Sequence, residues 1–133
     1  ECPIPMIAAV NGAAFAGGLE IVLGCDFAYA APTARFALTE GTLGIIPGAA
    51  GTQNLPRAVG LRRAKEIVLT GRPFTAEEAP AWGAINGICA EGRLMDEALE
   101  RAERPSRSIT IRADASGTVL ERVATRAVRG PSR

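Results

Sequence analysis

Histidine is absent from the 133 residues, and lysine occurs once, at Lys65. The first absence removes the commonest general base, together with every Ser-His and Cys-His nucleophile pair. The second removes most Schiff-base chemistry, because Lys65 lies in Leu61-Arg62-Arg63-Ala64-Lys65-Glu66, a stretch that reads as a solvated helix face. Any proton transfer therefore falls to carboxylates. Cysteine is scarce too: Cys2, Cys25 and Cys89 are odd in number and far apart. They form no disulfide framework and, without histidine, no zinc site of ordinary ligand spacing, so they read as structural thiols and no metal is expected. No apolar run approaches the roughly 20 residues of a membrane span. Glu1-Cys2-Pro3 also lacks the basic flank and apolar stretch of a signal peptide, so a cytoplasmic chain is expected, or a mitochondrial-matrix one in a eukaryote. The net charge is only +1, which supplies no electrostatic reason to expect nucleic acid or an anionic membrane as a partner.

What remains is an ordinary globular composition, 47% hydrophobic and 22% charged. A chain of this length buries roughly two thirds of its unfolded surface, enough for one core. Met6 to Val10 is a short apolar run entering a turn at Asn11-Gly12, the pattern of a buried strand. Leu19 to Gly24 suits a buried helix starting near Gly18, and Phe27 to Ala30 and Arg35 to Leu38 are short strands. After Ile45-Ile46-Pro47-Gly48, the stretches Ala49 to Ala58 and Leu61 to Thr70 read as helices, the second stopped by Gly71. Thr75 and Glu78 have capping-box spacing for a helix ending near Trp82 and disturbed by Pro80. Ala84 to Ala90 reads as a strand, and Leu94, Met95, Ala98, Leu99 and Ala102 form a helical apolar stripe. Beyond Arg104 the text turns arginine-rich, and Val119, Leu120, Val123, Ala127 and Val128 suggest one weakly amphipathic helix. Two regions are thus expected, 1–103 as the folded core and 104–133 as a weakly helical tail.

Chemistry concentrates at Gly17-Gly18 and the helix that follows. Glycines let a ligand approach the backbone, and a helix start presents free N–H groups and positive potential, where a developing oxyanion can sit. Glu20 lies in that first turn. By itself the pattern more often describes a plain helix start with a favourable N-terminal charge.

The surrounding text is more specific. Ile7-Ala8-Ala9-Val10-Asn11-Gly12-Ala13-Ala14-Phe15-Ala16-Gly17-Gly18-Leu19-Glu20, Gly24-Cys25-Asp26, Phe36-Ala37-Leu38-Thr39-Glu40 and Gly44-Ile45-Ile46-Pro47-Gly48-Ala49-Ala50-Gly51-Thr52-Gln53 occur in one order. Together they resemble the crotonase, or enoyl-CoA hydratase/isomerase, superfamily. Leu69-Thr70-Gly71, Ala76-Glu77-Glu78-Ala79 and Trp82-Gly83 extend the resemblance, which runs from about Pro3 to Glu103. It implies an α/β fold, a spiral of strand–strand–helix units truncated at its amino-terminal side. It also implies enoyl-CoA hydratase activity: syn addition of water to a 2-trans-enoyl-CoA, giving a 3-hydroxyacyl-CoA in fatty-acid or branched-acid breakdown. Coenzyme A would be part of the substrate and no separate cofactor is needed. The implied assembly is a homotrimer or a dimer of trimers.

The resemblance makes Gly17 an oxyanion donor beside Gly18, and makes Glu20 and Glu40 the catalytic carboxylates, with Gly48 near the reacting water through its backbone. Glu20 would activate water and Glu40 would handle the α-carbon proton, the two sharing protons as a coupled pair. Family isomerases typically keep only the carboxylate matching Glu40, so having both favours a hydratase over an isomerase. Thr39 and Gln53 would shape the backbone nearby, whereas Trp82, Phe36 and Met95 read as core and Arg57 as a solvated helix end. Members of the family are usually about twice as long, and the half not matched here supplies the partner oxyanion N–H and much of the adenine and phosphate site. The remaining strands would then present open edges, and a non-catalytic acyl-CoA-binding or structural fragment is the rival reading. Ala16 and Ala50 stand where glycine is usual, as tolerable methyl additions, and Asn54 stands where arginine is usual. Pro80 would cost about 3 kcal/mol if truly inside a helix.

Overall fold

The computed structural model describes residues 5–103, 109–113 and 119–124. The elements run β1 (Met6–Val10), β2 (Ala13–Phe15), α1 (Gly17–Gly24), β3 (Phe27–Ala30), β4 (Arg35–Ala37), a 3-10 turn (Glu40–Leu43), α2 (Gly51–Val59), α3 (Leu61–Thr70), β5 (Phe74–Thr75), α4 (Glu78–Trp82), β6 (Gly87–Ile88), α5 (Leu94–Glu103), β7 (Ile109–Ala113) and β8 (Val119–Ala124). The architecture is α/β, as the resemblance implied. Two sheets form, one ordered β6-β3-β1-β7-β8 and the other β2-β4-β5.

Successive units place one strand in each sheet. β1 and β3 pair in parallel in the first, and β2 and β4 pair in parallel in the second, with Phe15 opposite Ala37. Parallel pairing needs a long connection, and α1 with its flanking turns supplies it. The core lies between the sheets and the helices. Ala14, Leu19, Phe36, Leu38, Leu55 and Phe74 are wholly buried there, and Phe36 stacks on Phe74 with ring centroids 5.4 Å apart. Phe74 also meets Trp82 at 5.1 Å, and the Arg63 guanidinium lies 4.3 Å over the Trp82 ring. Phe36 and Trp82 are therefore packing residues. Met95 packs on the smaller cluster of Ala9, Cys89, Leu94 and Ala98, while Arg57 and Lys65 are exposed.

Several expectations change in detail. The reciprocal capping box forms, with the Thr75 N–H donating to Glu78 Oε2 at 2.8 Å and the Glu78 N–H donating to Thr75 Oγ1 at 3.2 Å. Pro80 is the third residue of α4, where a backbone N–H has no intrahelical acceptor in any case, so the interior penalty does not apply. Pro56, by contrast, lies inside α2. The strand expected at Ala84 to Ala90 shrinks to β6. The reason is that Asn86 engages β3 twice, its N–H donating to the Ala28 carbonyl at 2.7 Å and its side-chain oxygen accepting from the Ala28 N–H at 2.8 Å. A side chain thus takes over a ladder position.

The tail corrects the sequence reading outright. Val119 to Ala124 is a strand, not a helix, pairing antiparallel with β7; positions 127 and 128 of the expected helix lie outside the described residues. β7 in turn pairs in parallel with β1 along its full length, from Met6 opposite Ile109 to Val10 opposite Ala113. The outer edge of β1, expected to be open, is therefore covered. Backbone pairing across a sheet outweighs a weak helical pattern, because strand edges carry unpaired N–H and C=O groups that need partners. Among the described residues, no helix is long and apolar enough to cross a membrane.

Of the described thiols, Cys89 is buried and Cys25 is half-buried. Burial, reinforced by the neighbouring Asp26 charge, pushes the Cys25 thiol up to about 11, and its Sγ donates to the Ile21 carbonyl at 3.3 Å. Burial also pushes the Cys89 thiol up, and Glu97 adds to it. Reactivity requires thiolate, so iodoacetamide at neutral pH is expected to leave both unmodified in the native chain and to label both in urea. Peptide mass mapping checks this; rapid native labelling of Cys25 would contradict it.

Candidate active site

Parallel pairing of β2 with β4 brings two chain segments out side by side at the carboxyl ends of the strands. The Ala16 N–H donates to the Ala37 carbonyl at 2.9 Å, which locks the two exits together. Four residues past Ala16 stands Glu20, in the first turn of α1; three residues past Ala37 stands Glu40, first residue of the 3-10 turn. Each carboxylate is carried into the interior by its own short helix. Glu20 is 5% exposed and Glu40 is 7% exposed. They are the only buried charged or polar residues among those described, and charged side chains are almost never fully buried without a specific reason.

Their surroundings differ. Glu20 Oε1 accepts two backbone hydrogen bonds, from the Ala49 N–H and from the Gly51 N–H, each at 2.8 Å. These donors lie 29 and 31 residues away in sequence. They bring the Pro47-Gly48-Ala49-Ala50 loop over α1, so that Gly48 sits beside the Glu20 anchor. Glu40 Oε2 is buried with no hydrogen-bond partner among the described residues. A carboxyl oxygen in that condition carries a desolvation cost of about 1–3 kcal/mol and is suited to meet a reacting group.

Gly17 is exposed at the start of α1, and nothing lies within 4 Å of where its Cβ would be. No acceptor among the described residues reaches the N–H of Gly17 or Gly18; the first N–H groups of α1 to be satisfied are those of Leu19 and Glu20, both donating to the Ala16 carbonyl. Gly48 is likewise exposed, with open space at its Cα. Thr39 shapes the turn as expected, its carbonyl accepting from the Thr42 N–H at 3.0 Å and the Thr42 hydroxyl at 2.6 Å. Gln53 is exposed.

The two alanines expected to be simple methyl additions are more than that. Ala16 (φ 51°, ψ −123°) and Ala50 (φ 74°, ψ 10°) are the only non-glycine residues with positive φ among those described. Ala16 has the dihedrals of the first central position of a type II′ turn, dominated by glycine, and Ala50 is left-handed. A Cβ in such a conformation costs about 1–2 kcal/mol. Ala50→Gly and Ala16→Gly are each expected to stabilise the chain by about 1 kcal/mol after the added unfolded-state entropy is subtracted. That corresponds to a rise of roughly 4 °C in Tm for a domain of this size, and a fall in Tm would contradict it. What sequence reading missed here is the Ala49 and Gly51 pair of donors, for which backbone N–H groups leave no residue-type signal.

The model of the enoyl-CoA hydratase/isomerase family matches residues 1–128. A protein of Rhizobium meliloti (strain 1021) described as a probable enoyl-CoA hydratase is 49% identical over 100 residues, covering 75% of this chain and 39% of the relative. A carnitinyl-CoA dehydratase of Salmonella paratyphi B is 46% identical over 100 residues, with 75% and 38% covered. Among solved structures, an enoyl-CoA hydratase of Bacillus anthracis superposes with a TM-score of 0.73 at 50% identity, covering 75% of this chain and 39% of that one. The chain thus spans about two fifths of the length of the curated relatives it matches.

Proposed function

Because the chain belongs to the enoyl-CoA hydratase/isomerase family, we propose that it carries the acid–base half of a site that adds water across a 2-trans-enoyl-CoA to give a 3-hydroxyacyl-CoA. The observation that supports this most is the burial of two carboxylates, and of no other described charged group, at the paired ends of β2 and β4. Hydration needs one group to take a proton from water and one to manage the proton at the α carbon. Glu20, tied to the backbone through Oε1, is the base toward water; Glu40, whose Oε2 has no partner among the described residues, serves the α carbon. The Gly17 N–H at the helix start takes part of the charge that develops on the thioester oxygen. Removing one oxyanion donor of this kind typically costs about 2.7–4 kcal/mol of transition-state stabilisation. Gly48 faces the water through its backbone.

The same two carboxylates run the reaction in reverse by microscopic reversibility, which accommodates a dehydratase among the relatives. The substrate is an acyl-CoA thioester whose coenzyme A portion remains attached throughout. Assembly as a homotrimer or dimer of trimers suits the exposed apolar side chains Leu43, Ile46 and Leu69, each about three-quarters exposed. The test incubates the purified chain with crotonyl-CoA and separates the products. A 3-hydroxyacyl-CoA supports hydration, a shifted alkene would indicate isomerisation, and unchanged substrate at high enzyme concentration would leave only the non-catalytic reading.

A further inference from the structure

We propose that Gly51 is a positioning residue for Glu20, holding Oε1 against the backbone so that Oε2 is the oxygen left for the reactant; this rests on the reading of Glu20 given above. Glycine is not required at this position for conformational freedom, since Gly51 opens α2 without a positive φ. It is required by approach. A Cβ there would lie 2.8 Å from Glu20 Oε1 and 2.9 Å from Pro47 Cβ, closer than real Cβ atoms come, and 3.0 Å from Glu20 Cγ, so the Glu20 side chain would have to shift.

The local backbone explains why two donors converge on one atom. Ala50, left-handed at φ 74°, turns the chain between two other peptide units, so the N–H groups on either side of it face a common point. Such a concavity binds an anionic oxygen, and here the occupant is a side chain of the same molecule. Two charge-assisted bonds to Oε1 fix the rotation of the carboxyl group. No donor among the described residues reaches Oε2. A methyl group at 51 would push the carboxyl group off its donors and rotate or withdraw the oxygen that reacts.

The experiment compares the parent with Gly51→Ala, Glu20→Ala and the double variant. Three readouts are taken: the amide proton shift of Ala49, the melting temperature, and kcat and KM with crotonyl-CoA. Gly51→Ala is expected to move the Ala49 amide upfield, as loss of its charged acceptor requires. It should lower kcat about 10²-fold with KM within about a factor of two, because a displacement of about 1 Å suffices for that. The drop in melting temperature caused by Gly51→Ala should be much smaller when Glu20 is already alanine. An unchanged Ala49 shift with parental kcat would overturn the proposal. So would equal losses of melting temperature in both backgrounds, which would assign the glycine to Pro47 alone. If the parent shows no hydration, the functional reading fails, while the amide and melting comparisons still decide whether Gly51 positions Glu20.

Discussion

A Glu20→Gln chain is expected to keep its fold and to lose about 10²–10⁴-fold of its hydration rate, the range general acid–base groups contribute. The fold survives because the glutamine carbonyl oxygen can accept the Ala49 and Gly51 N–H groups that Oε1 accepts now, each at 2.8 Å. What is lost is the second carboxylate oxygen, replaced by an amide nitrogen with no proton affinity at neutral pH. The defect should appear in kcat with little change in KM, as for a group that acts mainly in the transition state. Glu40→Gln should be comparably slow, since it removes the other proton carrier. The pair also separates the two chemistries. An isomerase working through Glu40 alone would tolerate Glu20→Gln and fail with Glu40→Gln. Loss of enoyl thioester absorbance, with products resolved by chromatography, measures both, and a Glu20→Gln chain hydrating at the parental rate would remove Glu20 from the mechanism.

Phe36→Ala is expected to destabilise the chain by about 3–5 kcal/mol, a large share of what a domain of this size possesses. Phe36 is fully buried on β4, stacked at 5.4 Å on Phe74, which in turn meets Trp82 at 5.1 Å. Deleting its ring removes one side of that stack and leaves a cavity that the short β2-β4-β5 sheet has few other large side chains to fill. The consequence reaches the site, because β4 is the strand whose end delivers Glu40. Urea unfolding with an unchanged slope gives the free energy directly. Phe36→Leu, which keeps most of the volume, should lose much less; equal losses for the two variants would mean that packing is not the cause.

The absence of histidine assigned any proton transfer to carboxylates as a class, and the order of motifs that resembles the family, not residue type, picked out Glu20, Glu40 and the glycine pair before α1. Helix α3 and the capping box of Thr75 and Glu78 were also legible, since periodicity and capping act over three or four residues. Local rules could not reach the strands β2 and β5, which are three and two residues long and exist only because a partner strand is present, and they overran the ends of β6. The same holds for β8: its residues have a weak helical pattern, and pairing with β7 overrides it.

Residue types and their order by themselves thus determined where the carboxylates and glycines stand, the family they point to, and most of the helices, because those signals are local. The tertiary structure alone decided the state of the polar centre. It tied Glu20 to donors 29 and 31 residues away and left Glu40 Oε2 without a described partner. It also put the methyl groups of Ala16 and Ala50 into backbone conformations that favour glycine. The physical reason is common to all three. Backbone N–H direction, burial and φ are set by where the chain returns in space, and a residue's identity does not encode them.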